Sequence, residues 1–219
     1  MSRAALFTLL LTWCGALLFF RIARTGTVTY VFLIWNLFLA VIPAFAAAQL
    51  GRARTRLGQW TCASLWLLFL PNAPYLVTDF VHLRPRPHVP LWYDIALLLS
   101  CAATGLLLGY VSVADVQRWV AKRFGVLASW ACAAAGLMLS GFAIYLGRFL
   151  RWNSWDVIAD PKGLLAQIIM RVTHPVAHPR TYGVTAVYGV GLLLGYVALH
   201  VLSMTAFRET PPGYTRRRG

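Results

Sequence analysis

Tyr75, Asp79 and His82 stand at i, i+4 and i+7 within the stretch FLPNAPYLVTDFVHL, Phe69 to Leu83. On an α-helix that spacing lays a phenol, a carboxylate and an imidazole along one stripe. A carboxylate beside an imidazole is a general-base pairing, and the phenol adds a donor and an acceptor. Their placement is costly. The stretch sits inside an apolar run, where an aspartate costs about 2.5 kcal/mol or more on membrane-insertion scales. Pro71 and Pro74 each remove a backbone donor, freeing polar groups that lipid cannot satisfy.

A second stretch, IYLGRFLRWNSWD from Ile144 to Asp156, supplies Arg148 and Arg151. A guanidinium offers paired donors that suit phosphate or carboxylate. For Arg148 the alternative is a structural ion pair with Asp79 or Asp94. If the helix persists to the end of this stretch, Tyr145, Arg148, Trp152 and Trp155 share a stripe. Asp94, in LWYDIALLL, opens another apolar segment on the same side. The candidate set is therefore Asp79, His82 and Asp94 for catalysis, with Asn72, Tyr75, Arg148, Arg151, Asn153 and Asp156 for substrate binding. The competing structural reading has Tyr75 and His82 reaching for headgroups, Asp79 pairing with an arginine, and Asp156 in the first turn of a helix capped by Asn153 or Ser154.

The elements that hold these residues follow from composition. The chain has 219 residues, 59% hydrophobic and 12% charged, against about 25% charged in a soluble domain. This is an all-α, polytopic membrane helix bundle: a single transmembrane domain over 1–207 with a basic tail over 208–219. Six apolar segments are expected, at Ala4 to Phe20, Thr27 to Leu50, Leu57 to Leu83, Leu91 to Ala114, Gly125 to Gly147 and Thr181 to Phe207. The first is read as a transmembrane helix and not a signal peptide, because Arg21 and Arg24 follow where small residues should precede cleavage.

The third segment is broken. Leu57 to Leu70 covers about 21 Å at 1.5 Å per residue, short of a hydrocarbon core of about 30 Å. Asn72 suits an N-cap and Pro74 the first turn of a new half-helix, which RPRPHVP then ends near Leu83. Its N-terminus would carry a partial positive charge into the membrane. Further on, ADPKGLLAQIIMRV offers Asp160 as an N-cap before Pro161. There Leu165, Ile168, Ile169 and Val172 form an apolar stripe opposed by Gln167 and Arg171, so an amphipathic helix near 161–173 is expected on the outer surface.

The net charge of +14 comes from arginines and lysines in the loops. Eleven fall on the side of both termini and nine on the other, which by the positive-inside rule places the termini in the cytoplasm and the TRRRG tail against anionic lipid. No nucleic-acid partner is expected, because no aromatic-interleaved basic patch accompanies the charge. Cys14, Cys62, Cys101 and Cys132 lie in four different segments without metal or redox spacing. His174 and His178 each precede a proline and so sit on extended backbone; joined by His82 they are the only metal set to weigh, and no metal or cofactor is expected. His200 reads as a packing residue of the last segment. There is no Walker loop, HExxH, GxSxG or dinucleotide fingerprint, and no internal repeat.

LPNAPYLVTDFVHL, LWYDIALL and YLGRFLRWNSWD together resemble the bacterial membrane-protein family catalogued as Domain of Unknown Function 1361, over most of the chain. The resemblance implies a polytopic inner-membrane protein and brings no assigned activity, cofactor or catalytic residue. It draws attention to Pro71, Asn72, Pro74, Tyr75, Asp79, His82, Asp94, Arg148, Arg151, Asn153 and Asp156.

Three functions fit these residues. The first is a polar site at the extracytoplasmic face that binds a membrane lipid such as an anionic lipid or envelope glycolipid, with or without processing it. There Arg148 and Arg151 would hold phosphate while Asp79 and His82 act as base. The second is a small proton-coupled transporter, which needs polar groups continued toward the inner side; only Asn36, Gln59, Ser140 and His200 are offered there. The third is a non-enzymatic scaffold or partner subunit in which the polar cluster fixes helix packing.

Overall fold

The computed structural model describes residues 2–86 and 88–208, and the described chain is helical without strands. In order come α1 (Arg3–Thr25), α2 (Phe32–Leu50), α3 (Arg56–Phe69), α4 (Asn72–Tyr75) and a 3-10 helix over Leu76–His82. After a proline-rich connection follow α5 (Leu91–Leu150), α6 (Asp156–Ala159), α7 (Pro161–Thr173) and α8 (Pro179–Arg208). Arg216, Arg217 and Arg218 of the expected basic tail lie outside the described residues.

Four helices, α1, α2, α5 and α8, are long and apolar enough to cross a membrane. The 60-residue α5 is two arms joined at Gly125, whose φ of 85° and ψ of 172° are non-helical and open in practice only to glycine. Trp66 shows that the arms fold back on each other. Its indole Nε1 donates to Ser112 Oγ on the first arm at 3.2 Å, and its ring lies 3.1 Å from where a Cβ on Gly136 of the second arm would sit. In a straight helix those two positions would be about 36 Å apart. The fourth and fifth expected segments are thus the two arms of α5. The third is represented by α3, with 14 residues, and the short turns that follow it.

Between α3 and the 3-10 helix the expected half-helix N-terminus does not form. Leu70, Pro71, Tyr75 and Leu76 all keep right-handed helical angles, and no side chain caps either short element. Ala73 N donates to Leu70 O at 3.2 Å and Tyr75 N to Pro71 O at 3.1 Å. The helix tightens around the two missing proline donors instead of stopping and restarting. Asn72 consequently does not act as an N-cap; its amide donates to Phe69 O at 3.0 Å.

This tightened turn is seated in the bundle by close backbone approach. A Cβ on Gly105 of α5 would collide with the Ala73 carbonyl oxygen and stand 2.6 Å from Leu76 Cδ1. In a lipid environment such close packing, in place of hydrophobic expulsion, draws helices together. The same device joins the second arm of α5 to α8, where a Cβ on Gly141 would meet Gly189 N at 2.6 Å. Leu50, Trp66, Leu70, Leu137 and Ile144 centre one buried cluster, and Leu33, Leu76, Leu97, Leu98 and Cys101 a second.

Contacts also sort the two ends of the bundle. At one end Arg3 Nη1 lies 3.0 Å from Asp115 Oδ1, and Arg118 pairs with the same carboxylate. At the other, Tyr30 OH donates to His82 O at 3.2 Å and Arg86 Nη1 to Thr29 Oγ1 at 3.4 Å. The candidate residues gather at this second end.

Candidate functional site

Arg148, in the last turn of α5, is the hub. Its Nη2 donates to Asp79 Oδ1 and to Thr78 Oγ1, both at 2.6 Å, and its Nε reaches the same hydroxyl at 3.0 Å. Nη1 lies 3.2 Å from His82 Nε2. Because a guanidinium only donates, this contact requires His82 Nε2 to be the unprotonated, accepting nitrogen. The guanidinium carbon stands 4.8 Å from the centre of the Tyr75 ring. Asn36 Nδ2 of α2 donates to Asp79 Oδ2 at 2.9 Å, so both carboxylate oxygens are engaged. The Asp79 side chain is 2% exposed and that of Arg148 18%.

These groups form the polar end of a cavity of about 590 Å³. Asn36, Asn72, Tyr75, Asp79, His82, Arg148 and Asn153 line it, while Phe32, Trp35, Leu39, Leu67, Leu68, Leu139 and Leu146 make apolar walls. Asn72 Nδ2 donates to Ser154 Oγ at 2.9 Å, which ties α4 to the loop after α5. Leu164 and Ile168 of α7 close another side.

Six expected residues are therefore brought together: Asn72, Tyr75, Asp79, His82, Arg148 and Asn153. Asp94 is not among them. Arg21 takes its carboxylate in a two-point pair, Nε to Oδ1 at 2.7 Å and Nη2 to Oδ2 at 3.2 Å, with both side chains almost fully buried. Tyr30 packs on that guanidinium at 4.5 Å. Arg151 is also absent from the cavity wall. It ends α5 in the left-handed conformation, φ 62°, and its side chain is exposed. That stop takes Trp152 and Trp155 off the helix, so the expected stripe from Tyr145 to Trp155 is cut; Trp152 N instead donates to Leu146 O at 3.1 Å. Asp156 accepts from Asn153 N at 2.6 Å and shapes the loop from outside the cavity. His174 is exposed, His178 is half-buried, and neither lines the cavity.

Thr78, Ser154 and Asn36 were not anticipated as members. Thr78 is off the i, i+4, i+7 stripe of an α-helix, but the 3-10 turn advances by three residues and swings its hydroxyl toward Arg148. Asn36 was assigned to the inner half of its segment, whereas its amide meets Asp79 at the candidate end.

Chemically, the cluster is a closed network. Arg148 is neutralised by Asp79, both Asp79 oxygens accept, and the basic nitrogen of His82 faces a cation. As arranged, each Asp79 oxygen accepts one hydrogen bond from Arg148 or Asn36 and the accepting nitrogen of His82 faces the guanidinium, which weakens both groups as bases. Uncharged donors and acceptors at Asn72, Tyr75 and Asn153 face the same space.

The chain matches the family described as Protein of unknown function (DUF1361) over residues 35–197, most of its length, and it belongs to that family. No curated protein and no solved structure matches it.

Proposed function

We propose that this member of the DUF1361 family is a multi-pass membrane protein whose cavity binds a lipid. Its chain would lie against the apolar wall, and its polar head, anionic or sugar-bearing, would rest at the Asp79–Arg148–His82 end. The observation that carries this reading is the polarity contrast in the 590 Å³ cavity: a charged and amide-bearing network lines part of it, and the remainder, apart from Ser64 and Ser154, is aliphatic and aromatic. Cavities of this kind and size, apolar with a few placed polar groups, are the usual form of small-molecule sites.

The internal pairing of Arg148 with Asp79 favours recognition of the head over chemistry on it. A neutral ion pair offers both donors and acceptors at its margin, which suits hydroxyls and phosphate esters alike. Placement of this end at the extracytoplasmic face of a bacterial inner membrane, with both termini cytoplasmic, draws support from the eleven to nine distribution of basic residues.

The test is native mass spectrometry of protein released gently from membranes, comparing wild type with Ala143→Phe. Ala143 lines the cavity without touching the polar network, so its enlargement blocks the space and spares the ion pair. Wild type is expected to retain a lipid that the variant loses. Equal retention in both would remove the cavity as the binding place.

A further inference from the structure

Arg21 and Arg171 are buried and Arg148 is largely withdrawn from solvent, and their partners differ. Arg21 is met by Asp94 and Arg148 by Asp79. Arg171, 5% exposed, has no carboxylate within ion-pair distance among the described residues. The other described carboxylates are engaged elsewhere. Asp115 is held by Arg3 and Arg118, Asp156 by Asn153 N, and Asp160 caps α7 through Gly163 N.

The way Arg171 is bonded shows which part of it is spare. Nη1 donates to Gln167 O at 2.9 Å and to Gln167 Oε1 at 2.5 Å, which uses both of its hydrogens. Nε is buried with no partner, and Nη2 makes no hydrogen bond among the described residues. The Nε–Nη2 edge is the pair of parallel donors that takes an oxyanion in two-point fashion. The Tyr145 phenol lies within reach of both Arg171 and Thr181, and Thr181 Oγ1 is likewise buried and makes no hydrogen bond of good geometry. Tyr182 OH donates to Arg171 O at 2.8 Å, which fixes this turn of α7 against the first turns of α8.

The surroundings add positive potential. Thr181 lies in the first turn of the long helix α8, where the helix dipole favours an anion, although Pro179 has no N–H and Thr181 N donates to His178 O at 3.0 Å. Arg180 stacks on Phe149 at 4.2 Å, and Tyr145 faces Arg171 at 5.7 Å. The level in the membrane is also appropriate. On α7, Leu165, Ile169 and Val172 are turned outward while Arg171 is turned in, which reverses the face expected for a helix lying on a protein core. Such an apolar outer stripe suits the headgroup and acyl boundary.

We infer that Arg171, with Thr181 and the N-terminus of α8, forms a second site, for a tetrahedral phosphate oxyanion carried by a lipid headgroup or free in solution. It is separate from the Asp79–Arg148 cavity, to which α7 contributes Leu164 and Ile168 but not Arg171.

The experiment measures thermal unfolding of the full chain in nanodiscs of phosphatidylcholine, with phosphatidylglycerol mixed in or with inorganic phosphate added. Wild type, Arg171→Gln, Arg171→Lys and the exposed-charge control Arg123→Gln are compared. A rise in unfolding temperature with phosphatidylglycerol that is kept by Arg123→Gln and lost in Arg171→Gln assigns the site to a lipid headgroup. The same pattern with inorganic phosphate alone assigns it to the free anion. Arg171→Lys retains the charge but lacks the two-point edge, and is expected to lose at least half of the rise; it decides the matter if Arg171→Gln fails to fold. Identical rises in all four proteins, or none in any, would overturn the site. Because Ala143→Phe leaves Arg171 untouched, failure of the cavity reading and failure of this one are read separately.

Discussion

Arg148 and Asp79, 69 positions apart in sequence, meet at 2.6 Å with the carboxylate side chain 2% exposed. The pair joins the end of α5 to the 3-10 turn, two pieces of chain that short-range structure does not hold together. Its worth depends on the hydrogen bonds around it, since two charges withdrawn from water recover their desolvation cost only in a fully bonded setting. Asn36 and Thr78 supply that setting.

Removing one partner should therefore cost more than removing both. Asp79→Asn and Arg148→Gln are each expected to lower stability by about 3 kcal/mol, near the lower end for a broken buried pair because Arg148 is partly exposed. The double variant should fall well short of the sum. Thermal unfolding of the four proteins in detergent gives the cycle, and additivity of the two single effects would show that the residues do not depend on each other.

Thr78 gives a sharper test of the network. Its hydroxyl accepts two donors of Arg148 and passes its own proton to Tyr75 O at 2.7 Å. Thr78→Val keeps shape and leaves those donors bare, an expected loss of about 1–3 kcal/mol. Thr78→Ser should stay close to wild type. If valine and serine behave alike, the hydroxyl is not what holds the guanidinium.

How much of this could be read from the sequence differs between the two halves of the network. Asp79, Tyr75, His82 and Arg148 stood out because polar side chains in an apolar run are expensive, and that cost is visible in one dimension. The partner of Asp94 was not visible. Arg21 was read as a charge flanking the first segment, and neither its place in the chain nor a count of charges by side says which helix lies next to which. Thr78 was hidden by the assumption of a 3.6-residue period across Pro71 and Pro74, where the missing donors bring on the tighter 3-10 turn. Arg171 was read only as part of the polar face of a surface helix; that this face turns inward, with Leu165, Ile169 and Val172 outward, depends on which neighbours pack on α7, and a single helix's periodicity does not carry that.

The Arg21–Asp94 pair should behave as a structural tie and nothing else. Both side chains are almost fully buried, and neither lines the 590 Å³ cavity. Asp94→Asn is expected to cost about 3–5 kcal/mol, the range for stranding a buried charge. Lipid retention by the folded fraction should be unchanged, measured by native mass spectrometry beside the Ala143→Phe variant. Loss of the retained lipid in folded Asp94→Asn protein would show that this end of α1 takes part in binding.

Gly105→Ala tests whether the site's geometry depends on the seat beneath it. The added methyl would collide with Ala73 O and press on Leu76 Cδ1 at 2.6 Å, and backbone cannot swing aside as a side chain can. Overpacking of this kind costs about 1–3 kcal/mol. The strain falls on α4 and on the start of the 3-10 turn, so Asp79 and Thr78 should shift relative to Arg148 even where the bundle remains folded. In the Gly105→Ala background, Thr78→Val should then cost much less than in wild type, because the hydrogen bonds it deletes are already weakened. An undiminished cost would mean that α5 and α4 separate without disturbing the network, and that Arg148 and not the Gly105 seat fixes the turn.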